Sequence, residues 1–592
     1  MTTLSQQTIS SYVGDVVPLF LRGDGVDQHT DVAWTCEGDA VTLRRFDSAD
    51  EFAFRNGVLL SLIKEGTATV IATCNGQEYR ATIHTRPMKQ ASDEDVLHYY
   101  LADTHCHTSR IHNRQDFAKH ENEDIGDYVD FVKNEGLLDM SVISDHACVT
   151  NDYDFFKGFC LAQECHNPLI LAGTESEITY TEQDRIGVME RHSGELVTLM
   201  TAGYIHAQTY EEYENEILRS PAPVGIFAHP HVVGISTPGI WNFDFAKHNT
   251  PNMRKIMRSV EMGNGGDNKE NLLHEYAYSQ ALDAGFRVSV TCSSDSHGPT
   301  WGYHCVAGKT VILATEKSRE AFHDALLHNR FYATESGNVK LAFSVNGSTA
   351  PADLALTDTY VFHIELDYFK EDPTTIPVTC QVLSDYGEVV YETAVNTSVL
   401  DFTLKSETAR YFFLRLYDSE GRKTWSMPVW CSRAFDKPQS PCITPLDMST
   451  FTATTAKKDA AVAINGDIYD TFFSEERLPT VVIDMKQEHT ICALGYRPHI
   501  VVRKGKPFGW TTSDESKGLV ARFRVLVSAD GKQYQEVACK TCQTLGSETI
   551  VTFQAVLARY VKFEVLGNIG TDSRRPNYAD SQTVIGNLTV FQ

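Results

Sequence analysis

Five short fragments carry histidine and carboxylate in order through the middle of the chain: Asp103-Thr-His-Cys-His107, Ser144-Asp-His146, Gly173-Thr-Glu-Ser-Glu177, Ala228-His-Pro-His231 and Ser294-Asp-Ser-His297. Imidazole nitrogen and carboxylate oxygen together suit zinc, manganese or iron. Two such ions held close make water acidic and stabilise charge on an ester oxygen, which is the chemistry of hydrolysis. One His-x-His alone is a weak signal. The series is strong because four of the five fragments directly follow an apolar β-like run, as with Met140-Ser-Val-Ile143, Leu169-Ile-Leu-Ala172 and Val288-Ser-Val-Thr291. Side chains at the carboxyl ends of successive parallel strands converge on one face of a barrel. His105 and His107 stand two apart, so in a continuing strand they share a face and can bind one ion jointly. The bland alternative is a pair of hydrogen-bonded surface histidines.

The elements that must position these residues follow from periodicity. Across residues 97–337 strands alternate with amphipathic helices, expected at 125–134, 210–219, 269–284 and 319–329, where apolar residues recur at three- and four-residue intervals. This rhythm predicts roughly seven parallel strands, about the number that closes a barrel. Residues 1–92 read instead as short strands punctuated by glycine, among them Asp31-Val-Ala-Trp-Thr35 and Gly66-Thr-Ala-Thr-Val-Ile-Ala-Thr73, which suits a β-sandwich. A polar connector, Lys89-Gln-Ala-Ser-Asp-Glu-Asp95, leads into the centre. Residues 338–436 return to strands and predict another β-sandwich, and Pro438, Pro441 and Pro445 mark a linker. Residues 445–592 are all-β again.

At 592 residues the chain is too long for one core, and several domains are expected. A formal net charge of −26 argues against a nonspecific binder of nucleic acid or anionic membrane. No run approaches ~18 apolar residues, so no transmembrane helix is expected. The amino terminus, Met1-Thr-Thr-Leu-Ser-Gln-Gln7, has neither the basic nor the apolar region of a secretory signal, so a cytoplasmic location is expected, or an extracellular one if a leader was removed. Fourteen scattered cysteines form no dense disulfide framework. Cys36 and Cys74 are placed to bridge two strands, and Cys539-Lys-Thr-Cys542 has redox or metal spacing, but free thiols are the simpler expectation for both.

Taken in order, Asp-x-His-x-His, Asp-His after an apolar strand, Gly-x-Glu, Ala-His-Pro and Ser-Asp-x-His resemble the polymerase and histidinol phosphatase (PHP) superfamily of metallohydrolases. The tail Asn329-Arg-Phe-Tyr-Ala-Thr334, followed by Leu341-Ala-Phe-Ser-Val-Asn-Gly347, resembles its carbaryl-hydrolase-like branch. The resemblance implies a distorted (β/α)7 barrel over residues 97–337, flanked by β-sandwich domains and holding two or three divalent ions (Mn, Zn or Fe). It assigns His105 and His107 to the first ion, Glu175 to a bridge, and His146, His229, Asp295 and His297 to the rest. His112 stands where members place an Asp or His, about seven residues after the first histidine. Where relatives carry a Gly-His pair, this chain has Gly194-Glu195. Either Glu195 is an oxygen ligand, favouring manganese, or nearby His192 supplies the imidazole; alternatively Glu195 is a surface residue and a third ion is absent.

Glu175, Asp295 and His231 are the expected catalytic residues, with His231 and Glu177 placed to orient a ligand or touch substrate. Arg110, Arg114, Arg185 and Arg191 flank the motif loops and are candidates to clamp an anion. Each is by default a solvated arginine, and His206 and His304 are ordinary isolated histidines. Residues 1–92 resemble bacterial Ig-like modules. Residues 445–592 resemble discoidin (coagulation factor 5/8 type C) jelly rolls, which implies a possible carbohydrate ligand there. The expected function is metal-dependent ester hydrolysis, a phosphoester favoured, on a small-molecule or glycan-linked substrate. The alternatives are hydrolysis of a carboxylic or carbamate ester and a non-catalytic glycan-binding protein.

Overall fold

The computed structural model describes the chain apart from residues 46–53, 109–124, 148–151, 185–186, 208, 231–242, 244, 246–247, 266–270, 298–307, 433–442, 468–469, 499–500, 503–508, 511–517, 543–548 and 569–581. It also leaves out the side chains of 125–127, 152–154, 179–184, 187–193, 271–273, 276, 501–502, 509–510 and 541. The chain is multidomain and mostly β.

The central region is built on strands β1 (His98–Ala102), β2 (Met140–Ile143), β3 (Leu169–Asp184), β4 (Gly187–Leu199), β5 (Val224–Ala228), β6 (Met257–Asn264), β7 (Ser289–Ser293), β8 (Lys309–Ala314) and β9 (Phe331–Thr334). The described helices are α1 (Ile125–Glu135), α2 (Asp152–Glu164), α3 (Tyr210–Ile217), α4 (Pro251–Ile256), α5 (Asn271–Asp283) and α6 (Arg319–Leu327). All side chains of β2, β5 and β7 are buried, as in strands covered on both faces. The helices begin where capping chemistry allows. Thr209 forms a capping box with Glu212 ahead of α3, and the Ser318 hydroxyl accepts the Ala321 N–H ahead of α6.

The ladder runs β7-β6-β5-β4-β3-β2-β1-β8-β9. It is mixed rather than uniformly parallel: β4 is antiparallel to both neighbours, and β8 is antiparallel to β1 and β9. The physical reason is the connection. Only residues 185–186 separate β3 from β4, so a hairpin forms where a helical crossover would be needed for a parallel pair. The ladder also curls. Beyond the strand ends, Asp295 N–H donates to His105 O at 2.9 Å and His107 N–H to Ser296 O at 3.1 Å, joining the extension of β7 to that of β1.

The amino-terminal residues form two four-stranded sheets, one of Thr3–Leu4, Val16–Arg22, Gly57–Leu62 and Val41–Arg45, the other of Thr8–Tyr12, Gln77–Arg86, Gly66–Cys74 and Ala33–Glu37. Their shared core includes Leu19, Trp34, Leu60, Val70 and Ala81. This sandwich docks on α2 through a Phe20–Phe54–Phe156 ring cluster and on α6 through Arg86–Glu320 and Tyr12–His323.

Beyond β9 the ladder does not stop. Thr334 pairs with Thr424, carrying the sheet into Lys423–Trp425, Tyr411–Asp418, Pro377–Ser384 and Glu388–Ala394, which face a second sheet built on Val339–Val345, Thr359–Tyr368 and Val399–Lys405. The last region has its own core of Ile483, Leu494, Phe523, Val561 and Phe563 under a sheet centred on Thr480–Arg497 and Thr549–Asn568. Among the described residues every cysteine is free, including Cys36, Cys74, Cys539 and Cys542.

Candidate metal centre

Four strand tails are zipped side by side by main-chain hydrogen bonds. Besides the β1–β7 pair, Ser144 N–H donates to Cys106 O (2.9 Å), Glu175 N–H to Asp145 O (3.1 Å) and Ala147 N–H to Glu175 O (2.7 Å). The side chains on these tails are therefore placed by backbone geometry. Gly173 belongs to this device: a Cβ there would lie 1.9 Å from Thr198 O, so only glycine lets β4 run this close to the start of the Glu175 tail.

Glu175 sits at the centre. Its Oε1 lies 3.1 Å from both His105 Nε2 and His229 Nε2, and its Oε2 lies 3.2 Å from His107 Nε2 and 3.0 Å from His146 Nδ1. Asp295 Oδ1 adds contacts of 3.0 Å to His107 Nε2 and 3.4 Å to His105 Nε2. Glu195, on β4, approaches His229 Nε2 at 3.2 Å and His146 Nδ1 at 3.6 Å. His297 Nε2 is 3.4 Å from His146 Nε2, and its ring stacks on that of His107. The structure thus brings together His105, His107, His146, Glu175, Glu195, His229, Asp295 and His297. Of the two ways to fill the Gly194-Glu195 departure, Glu195 stands inside the cluster, and the side chain of His192 lies outside the described residues. His112, His231, Arg110, Arg114, Arg185 and His304 lie outside them too, as does the side chain of Arg191. His206 is exposed, and Glu177 is half-buried opposite Glu195 in the hairpin.

The sequence reading missed Glu261. It lies on β6, fully buried, with Oε1 3.2 Å from His105 Nδ1. The available signal was a lone carboxylate in the apolar run Val260-Glu-Met-Gly, near the carboxyl end of a strand like the other four. Asp103 and Asp145 also prove to be supports. Asp103 accepts the Ser294 N–H at 3.0 Å, and Asp145 accepts the Thr108 N–H at 2.7 Å.

Burial alone lowers the pKa of His105, His146 and His229, yet neighbouring carboxylates outweigh it. Glu175, Asp295 and Glu261 hold His105 well above its ordinary range, and Glu175 with Glu195 does the same for His229. His146 rises to about 9, chiefly through Glu175. Conversely, burial raises Glu175 and Asp295, but the imidazoles, His105 foremost, pull both below the usual carboxylate range. Glu195 differs: burial and the Glu175 charge push it up to about 7. A buried cluster this rich in carboxylate demands positive charge.

The donor set fits a metal. With bonds of about 2.1 Å, ligand atoms lie about 3.4 Å apart around a tetrahedral ion and about 3.0 Å apart around an octahedral one, the range seen here. Among the described residues, Glu175 Oε2 and Asp295 Oδ1 are buried and close to nitrogen, yet neither accepts a well-aligned hydrogen bond. Close atoms that do not point at each other are the arrangement of ligands aimed at a common centre. Among the described residues four overlapping groups keep their ligand atoms within 4.8 Å of one another: His105, His107 and Asp295; His146, Glu175 and Glu195; His107, His146 and His297; and His105, His229 and Glu261. The cluster opens on one side, where His146, Asp295 and His297 side chains are 19%, 20% and 19% exposed while His105, His107 and Glu175 are sealed.

No family description matches the chain, and no curated protein does. Part of it is similar to solved family 32 carbohydrate-binding modules and F5/8 type C domains. One is a family 32 carbohydrate-binding module of a family 89 glycoside hydrolase from Clostridium perfringens, in complex with N-acetylgalactosamine-β-1,3-galactose (16% identity, 25% of this chain and 100% of that one, TM-score 0.20). Another is the family 32 module of NanJ from C. perfringens in complex with galactose (15% identity, 25% and 99%, TM-score 0.20). A third is an F5/8 type C domain from Bacteroides fragilis (12% identity, 26% and 98%, TM-score 0.20).

Proposed function

We propose that the chain is a metal-dependent hydrolase of ester bonds, a phosphoester favoured, built on the PHP superfamily's distorted (β/α)7 plan. The observation that carries this reading is the convergence of imidazole and carboxylate donors from separate strand ends on Glu175. His105, His107 and Asp295 would hold one divalent ion and His146, Glu175 and Glu195 another, with His229 against Glu175 and Glu195 and His297 at the mouth. Bound ions supply Lewis acidity toward the ester oxygen and lower the pKa of water. The chain's own residues do the rest. The sealed face of His105 and His107 excludes bulk solvent, and the strand tails fix donor positions before substrate arrives. The open side at His146, Asp295 and His297 sets where an ester is presented. Asp295, anionic and partly exposed on that side, would accept a hydrogen bond from the attacking water and orient it.

The test compares phosphodiester and carboxyl-ester chromogenic substrates side by side, on metal-stripped chain and with manganese or zinc added. Turnover that requires metal and is lost in His105→Ala supports the reading. Undiminished turnover in stripped protein defeats it, and the preferred substrate separates phosphorus from carbon.

A second reading is glycan binding by residues 445–592. It is supported by that region's independent core and by a cavity of about 520 Å³ lined by Asp447, Asn465, Asn587 and Thr589, whose side chains can bond sugar hydroxyls. It is compatible with catalysis, since a bound glycan raises the local concentration of an ester attached to it. Galactose and N-acetylgalactosamine-β-1,3-galactose are the probes. Absence of transition metal together with sugar binding would favour this reading as the whole function.

A further inference from the structure

We infer that Glu261 and Asn264 act as one brace that positions three members of the metal centre, making Glu261 a positioning residue; this rests on the reading of the cluster as a metal site. Glu261 is 0% exposed, and among the described residues its ion-pair partner is His105. A carboxylate only accepts. With Glu261 at 3.2 and 3.4 Å from Nδ1, a proton is held on Nδ1, so that the nitrogen free to give up its proton to a bound ion is Nε2, on the side of Glu175 and Asp295.

The other side of the same carboxylate fixes backbone. Glu261 Oε2 accepts the main-chain N–H of His229 at 2.8 Å and Asn264 Nδ2–H at 2.9 Å. The second hydrogen of that Nδ2 points to Asp295 Oδ2 at 3.2 Å. His229 and Asp295 need such ties: their φ angles are +26° and +46°, a region that residues with a Cβ adopt only when the surroundings enforce it. One buried carboxylate therefore selects the tautomer of His105, pins the strained His229 main chain, and through Asn264 aims Asp295.

Glutamine at 261 has almost the same shape but only one accepting oxygen for two groups of donors. Its NH2 must face either His105 Nδ1 or the His229 N–H. Facing His105, it drives the imidazole to the Nε2–H tautomer, which offers no lone pair inward. Facing His229, it abandons the backbone tie. Either way affinity for a divalent ion falls, by about 10–100-fold for a group of this kind.

The experiment measures zinc affinity of the full-length chain by competition with a chromophoric chelator, and the visible absorption of the cobalt-loaded chain, whose bands report donor set and geometry. The variants are Glu261→Gln and Asn264→Ala, the second removing the Asn264 ties to Glu261 and Asp295 while leaving the Glu261 carboxylate on His105 and His229. The inference expects weaker zinc binding and altered cobalt bands in both, with the larger loss in E261Q, and unchanged near-ultraviolet circular dichroism of the metal-free proteins. Should metal-free E261Q lose that circular dichroism, N264A decides alone. Wild-type affinity and an unchanged cobalt spectrum in the variants overturn the brace and leave the metal reading standing. Failure of the wild type to take up zinc or cobalt overturns the metal reading itself.

Discussion

Replacing Glu175 by glutamine tests the centre at the point where most depends on a single charge. Glu175 is 1% exposed and stands within 3.2 Å of nitrogens on His105, His107, His146 and His229. Glutamine keeps the volume and removes the charge, so the cavity stays filled and packing loss is small. Removing one partner of a buried charged group typically costs about 3–5 kcal/mol. If that cost falls on the ion-bound state, at about 1.4 kcal/mol per tenfold it weakens binding by roughly 10²- to 4 × 10³-fold. Because Glu175 is shared between the His105–His107 side and the His146–His229 side, stoichiometry should fall along with affinity. Equilibrium dialysis against manganese or zinc, read by elemental analysis, measures both. Near-ultraviolet circular dichroism of the stripped variant checks that packing survives. Wild-type stoichiometry and affinity in E175Q would refute the claim that Glu175 is the shared ligand.

Other perturbations probe the scaffold. Gly173→Ala should cost about 1–3 kcal/mol by forcing Thr198 O away, and should weaken metal binding two residues downstream; calorimetry and dialysis read the two effects. His323 is buried, accepts from the Tyr12 hydroxyl at Nδ1 and donates from Nε2 to Ala222 O, and burial lowers its pKa to about 4. The folded value lies below the unfolded one, so the stability held by the neutral ring is complete above about pH 6.5 and is lost as pH falls toward 4, about 3 kcal/mol in all. Urea midpoints for the step that releases the amino-terminal sandwich should show that slope, and His323→Gln should flatten it. Arg410 pairs with Asp283 at 2.8 Å and Asp385 at 2.6 Å where the second sandwich meets α5. Arg410→Met should destabilise that junction by about 3–5 kcal/mol, and an unshifted denaturation midpoint would contradict it.

How far sequence alone reached can be seen residue by residue. Spacing after apolar runs located Glu175, His229 and Asp295 because strand ends carry both the pattern and the function. The four helices read from periodicity appear at 125–135, 210–217, 271–283 and 319–327. The pattern did not give strand direction. Val188 and Leu196 alternate as well in an antiparallel hairpin as in a parallel strand, and only the two-residue connection decides. α2 and α4 were missed: α2 carries Phe155, Phe156 and Phe159 in a cluster that serves two neighbours, and α4 is barely a turn and a half long. Glu261 was invisible for a different reason. Its role is to hold another ligand's proton, and no spacing rule encodes that.

The continuous ladder from β9 into Lys423–Trp425 has a practical consequence for anyone dissecting the chain. A truncation after residue 337 would strip Phe331–Thr334 of its neighbour and leave an open β edge with unpaired amides, a template for aggregation. Solubility of shortened fragments should therefore return only when the cut is moved past Cys431, so that the two regions are expressed as one piece.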